Sequence, residues 1–122
     1  MIWLAVGAGG ALGSMARHGV NVLFSHLFER ATPYATGAVN LLGSAMIGLL
    51  AGRLASGRLP LSTEMRTFVL VGILGGFTTF SSFMLDTLTL GQGGHQSLAF
   101  WNVGLQTALG LVFVWAGYRL GL

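Results

Sequence analysis

Charged positions divide this chain into long apolar runs. Charges stand only at Arg17, Glu29, Arg30, Arg53, Arg58, Glu64, Arg66, Asp86 and Arg119. Residues 31–52, 67–85 and 98–118 carry none, and about 20 apolar residues suffice to cross a bilayer. Three transmembrane helices are expected from this pattern, over about 31–52, 67–89 and 98–120. A fourth, over about 2–28, is less clean because Arg17, His18 and Asn21 interrupt it. No positive segment precedes its apolar run, so it fits a signal peptide poorly.

The polar positions inside the spans form lines. In the second span Asn40, Ser44 and Gly48 recur at i, i+4 and i+8, with Thr36 one turn earlier. An amide left unpaired at that depth costs several kcal/mol, so Asn40 needs either another helix, as is common in bundles, or a hydrated ligand. The fourth span repeats the pattern with Asn102, Gln106 and Gly110. Small residues mark packing faces at Gly9-xxx-Gly13 and Gly117-xxx-Gly121, since close backbone approach holds helices together in lipid. Arg17 either snorkels to the interface or sets a fixed positive charge at the mouth of an aqueous path.

The third span is the least regular. Gly72, Gly75 and Gly76 each weaken a helix by about 1 kcal/mol relative to alanine, and the β-branched Thr78 and Thr79 follow. The helix is expected to break between Gly75 and Thr79. Carbonyls freed at membrane depth must be buried in protein or hold an ion, and such hard oxygens suit a small alkali cation. Phe80 and Phe83 fall at i and i+3 with Thr79 and Ser82 beside them. Their spacing fits plain core or lipid packing; it also fits two rings presenting their positive edges to an anion. Asp86, one turn on, is expected near the membrane surface.

Composition agrees with the pattern. Of 122 residues 53% are hydrophobic and 7% charged, with a mean hydropathy of +0.76; an ordinary soluble domain is roughly 25% charged. The chain reads as a single all-α membrane domain over 1–122. The absence of cysteine rules out disulfides and thiol chemistry. Six arginines in so apolar a chain belong to loops and helix ends and do not suggest nucleic acid. Arg53, Arg58, Arg66 and Arg119 fall on one membrane face, against Arg30 and Arg17 on the other. That bias is slight, and insertion in both orientations is allowed. The three carboxylates are not a helical turn apart, and neither a nucleophile triad nor a phosphate loop is present. An enzyme is not expected. The remaining classes are passage of a small solute, a proton-coupled four-span drug exporter, or a non-transporting membrane subunit.

The run Gly75-Gly76-Phe77-Thr78-Thr79-Phe80-Ser81-Ser82-Phe83, with Asn40-Leu41-Leu42-Gly43 and the Gly13-to-Arg17 spacing, resembles the Fluc (CrcB) fluoride channels of microbes over the whole chain. The resemblance implies four transmembrane helices per subunit, the third broken near its middle, in an antiparallel, dual-topology homodimer in the cell membrane, the inner membrane of a bacterium. It implies passive fluoride export that lowers fluoride toxicity, and a structural sodium ion at the dimer centre. Gly75 and Thr78 would supply backbone carbonyls to that sodium, and Phe80 and Phe83 ring edges to fluoride. Asn40 would donate a hydrogen bond, Thr79 and Ser82 would add hydroxyls, and Arg17 would stand at the vestibule. Asn102 and Gln106 are the fourth-span members of the expected pathway. At their turns the chain departs from relatives, which place other polar or hydroxyl residues there; Asp86 stands where many have Glu.

Overall fold

The computed structural model describes residues 1–30 and 32–122, which form helices and their connections. Helix α1 spans Ile2–Leu27 and α2 Tyr34–Ala55. Helix α3 runs in three continuous pieces: Thr63–Arg66, a π-helical stretch Thr67–Leu74, and Gly75–Phe77. Helix α4 spans Phe80–Gln92 and α5 Gln96–Gly121. By length and composition, Tyr34–Ala55, Thr63–Gln92 and Gln96–Gly121 can each cross a membrane. The expected start of the second span, Ala31, lies outside the described residues.

Local chemistry sets the helix ends. Ser62 caps α3 by accepting the Met65 N–H at 3.2 Å, and Glu64 sits in the first turn, where a negative charge suits the helix dipole. The third span therefore starts before residue 67, and the loop expected over 53–66 shrinks to 56–62. Gly57, at φ +72°, makes its turn with a backbone that side-chain-bearing residues rarely adopt.

Two parallel helix pairs are zipped by glycine. In the first, α1 lies on α3: a Cβ on Gly9 would strike Phe68 O and one on Gly13 would strike Ile73 O. From the other side, a Cβ on Gly72 would lie 2.8 Å from Gly9 Cα and one on Gly76 2.7 Å from Gly10 O. In the second pair, α2 lies on α5, and Gly48, Gly52, Gly117 and Gly121 meet the facing backbone as closely. Both glycine pairs expected to pack, Gly9/Gly13 and Gly117/Gly121, do so. Gly72 and Gly76 differ from expectation: they serve this seam and do not break the helix. The outer surface is apolar, with Trp3, Phe100, Leu111 and Trp115 exposed, as a lipid-facing exterior allows.

These seams carry a measurable consequence. Gly13→Ala places a methyl where Ile73 O and Phe77 N already stand, and backbone cannot rotate away as a side chain can. Overpacking of this kind costs about 1–3 kcal/mol, so the variant should unfold at lower temperature in detergent. Gly7→Ala, where a Cβ meets nothing within 4 Å, is the control and should not.

Candidate functional site

The α3–α4 path is interrupted at two residues. Thr78 (φ −83°, ψ 159°) and Thr79 (φ −153°, ψ 122°) are extended, conformations that β-branched residues take readily. Gly75 itself is helical (φ −64°, ψ −36°). The interruption is thus narrower than the stretch 75–79 expected from the glycines. Every backbone group released there in an apolar setting requires a partner.

Two distant side chains supply those partners. Arg17 Nη1 donates to Thr78 O at 3.2 Å. Asn40 holds Thr79 at two points: its Oδ1 accepts the Thr79 N–H at 2.9 Å, and its Nδ2 donates to Thr79 O at 3.0 Å. Thr79 Oγ1 in turn accepts the Ser82 N–H at 3.2 Å and caps α4. Arg17 therefore braces the interruption from α1, and Asn40 braces it from α2. Gly43 completes the joint, because Thr78 Cγ2 packs where a Cβ on Gly43 would be. The two helix pairs meet at these threonines.

From Asn40 a line of hydrogen bonds runs onward. Asn40 Nδ2 also donates to Gln106 Oε1 at 3.0 Å, Gln106 Nε2 to Asn102 Oδ1 at 2.8 Å, and Asn102 Nδ2 to Thr87 Oγ1 at 2.9 Å. Thr87 Oγ1 donates to Phe83 O at 2.8 Å. The Thr79 N–H can only donate, so it fixes which end of the Asn40 amide is oxygen, and each following amide is oriented by the one before. The line leaves α4 at Thr79 and returns to it at Phe83. It thereby suspends from α2 and α5 the one turn of helix that carries both phenylalanines.

Those rings pack edge to face, with centroids 6.1 Å apart and planes at 81°. Phe83 is buried at 8% exposure, whereas Phe80 is 74% exposed. Asn40, Gly75, Thr78, Thr79, Phe80 and Phe83 line one open cleft of about 310 Å³. Asn102 and Gln106 line a second, of about 690 Å³, together with Asp86 and His95. One Asp86 carboxylate oxygen is buried there without a hydrogen-bond partner among the described residues. Six of the ten expected site residues thus share the first cleft and two the second. Arg17 and Ser82 line neither; Arg17 braces the interruption, and Ser82 donates its backbone N–H to the Thr79 cap. The Asn40–Gln106 bond joins the two groups.

Sequence reasoning allowed Asn40 a partner on another helix without identifying Gln106, and it missed the Arg17–Thr78 contact and the contribution of Thr87. A signal for Gln106 was present. The second and fourth spans run in the same direction, and Asn40 and Gln106 lie nine and eight residues past their expected starts at 31 and 98, so the two amides stand at matching depth.

Comparison with known proteins adds an independent line. The model of the family described as CrcB-like protein, Camphor Resistance (CrcB), matches residues 4–118. The curated protein "Fluoride-specific ion channel FluC 2" of Symbiobacterium thermophilum is 44% identical over 116 residues, covering 94% of this chain and 93% of its own length. "Fluoride-specific ion channel FluC" of Aeromonas salmonicida is 42% identical over 118 residues, covering 97% and 94%. The protein of the same name from a strain of Thermus thermophilus is 44% identical over 119 residues, covering 98% and 94%.

Proposed function

The chain belongs to the CrcB-like family, and from that premise we propose that it is a fluoride-specific ion channel, a multi-pass membrane protein and not an enzyme. The observation that carries the reading within the structure is the first cleft. One pocket gathers the edge-to-face ring pair, the Thr79 backbone and the Asn40 amide, and it contains no charged side chain. Aromatic edges attract an anion weakly, and an amide hydrogen replaces part of its hydration shell. A pore must bind its ion loosely enough to release it. A site built from dipoles and ring edges, with no counter-charge inside it, meets that requirement.

Direction follows from acid–base chemistry. Hydrogen fluoride is a weak acid that crosses the bilayer neutral and dissociates inside, so a passive anion pore lets fluoride leave down its gradient. On this reading α1 is a fourth span, and Arg17, half-buried beside Thr78, places one fixed positive charge close to the interruption.

The same reading takes the functional unit to be an antiparallel dimer of identical chains. Phe80 projects from the open cleft at 74% exposure beside the exposed Gly75, a face that a second copy would cover. The small excess of arginines on one membrane face suits a chain that inserts both ways. A sodium ion at the dimer centre fits the donors on hand. Gly75 and Thr78 offer backbone carbonyls, and such oxygens at an unwound segment are suited to Na⁺. The Arg17 bond takes one lone pair of Thr78 O and leaves the other. When bound, the ion supplies a fixed positive charge that ties the two interruptions together.

The test is efflux from liposomes. Vesicles loaded with potassium fluoride and bearing the purified protein should release fluoride to an ion-selective electrode on addition of valinomycin, while chloride-loaded vesicles stay sealed. Retained fluoride, or chloride released as fast, would refute the assignment.

A further inference from the structure

The Asn40 amide has no hydrogen to spare. Its Nδ2 carries two, and both are committed: one to Thr79 O and one to Gln106 Oε1, each at 3.0 Å. An anion can be held by this amide only after one of those acceptors withdraws. The two are not equivalent. Thr79 grips Asn40 at two points, because its N–H also donates to Oδ1 at 2.9 Å, and its backbone is fixed by the Arg17 brace and the α4 cap on either side. Gln106 is a half-buried side chain with rotatable bonds, held by its neighbour Asn102 on its own helix. Space beside it is open, since Gln106 lines the 690 Å³ cleft.

We infer that Gln106 competes with the conducted anion for one amide hydrogen of Asn40, so that ion binding at the ring pair requires its carboxamide oxygen to move aside. The inference rests on the fluoride reading above for the identity of the anion. It assigns Gln106 a role distinct from that of a pathway donor. Its oxygen faces Asn40, and oxygen repels an anion; its retreat exposes an N–H whose direction the Thr79 clamp keeps unchanged. Because the bond joins a side chain of the first cleft to one of the second, the same movement connects the two. Gln106 thus sets how much fluoride is needed to occupy the site.

The chain has three asparagines, Asn21, Asn40 and Asn102, so protein labelled with ¹⁵N-asparagine gives three side-chain ¹⁵N resonances, each bearing a pair of amide hydrogens. In Gln106→Leu, which has similar bulk and no acceptor, the Asn40 signal should respond to sodium fluoride at a concentration roughly three- to tenfold lower than in the unmodified protein, the factor a single neutral hydrogen bond represents. Gln106→Met repeats the comparison with an unbranched side chain. Sodium chloride should move neither signal. A Gln106 that donates to the ion, or merely packs, predicts the reverse or no change. An unchanged or higher half-saturating concentration in both variants overturns the inference, as does an Asn40 signal that never responds. Liposome efflux by the unmodified protein is scored separately. If it fails while the Asn40 response sharpens in Gln106→Leu, the channel reading falls and the competition stands; efflux with no sharpening has the opposite meaning.

Discussion

Replacing Phe80 with isoleucine is expected to slow fluoride efflux at least about tenfold while the protein keeps its helical content and its elution volume in detergent. The expectation follows from how little else Phe80 does. Its ring is 74% exposed, and its one aromatic contact is the edge-to-face pairing with Phe83 at 6.1 Å. Isoleucine retains the apolarity and loses the quadrupole. Edge contacts of aromatic rings contribute about 0.5–1.5 kcal/mol beyond area burial, and 1.4 kcal/mol is about a factor of ten in an equilibrium. An ion that meets the ring at both entry and exit should be affected more. Phe83→Ile is the less clean experiment, because Phe83 is buried at 8% exposure and trimming a core side chain costs stability as well. The measurement is initial efflux into an electrode, normalised to the protein recovered in the vesicles. Efflux at the unmodified rate would mean that the rings only pack.

How much of this site the sequence discloses depends on the range of the interaction. The three helices able to cross a membrane were legible because lipid imposes length and forbids charge, rules that act residue by residue. The glycine spacing at Gly9 and Gly13 was legible for a similar reason: helix periodicity alone puts both on one face. Gly72 and Gly76 were read as weakening their own helix, although their use is to admit α1. A glycine's local propensity and its value to a neighbour have the same sequence signature, and only the partner's position separates them. The polar lines on the second and fourth spans show the same limit. The fourth-span line suggested a surface facing a pathway, and Asn40 on the second allowed either a partner on another helix or a hydrated ligand. In the fold they face each other, with Asn40 bonded to Gln106 and a Cβ on Gly110 lying 3.7 Å from Ser44 Oγ. A polar stripe in a membrane helix reports the need for a partner, and two such stripes at matching depth satisfy that need mutually. The π-helical stretch Thr67–Leu74 has no counterpart in the residue pattern.

The second large effect is expected at Asn40, and it is structural before it is functional. Asn40→Leu keeps the number and branching of the side-chain heavy atoms and leaves the α2 backbone intact, yet it strips three hydrogen bonds at once: two to Thr79 and one to Gln106. Thr79 is buried at 9% exposure, so its N–H and C=O are left with neither protein nor water. A buried polar group deprived of its partner costs about 1–3 kcal/mol, and here two are orphaned together. An isolated membrane helix could recover by closing its ladder through Thr78 and Thr79. This one cannot do so cheaply, because that movement would dislodge the Thr78 methyl from Gly43 and part Thr78 O from Arg17. The variant should therefore lose several kcal/mol of stability and show increased hydrogen exchange at Thr79 and Phe80, with α1, α2 and α5 still protected. Asn40→Asp gives the contrast. It keeps the acceptor for the Thr79 N–H and loses both donors, so exchange at that amide should stay slow while fluoride efflux falls, its carboxylate repelling the ion. Slow exchange at Thr79 in Asn40→Leu would show that the interruption stands without its clamp, and that Asn40 serves the ion alone.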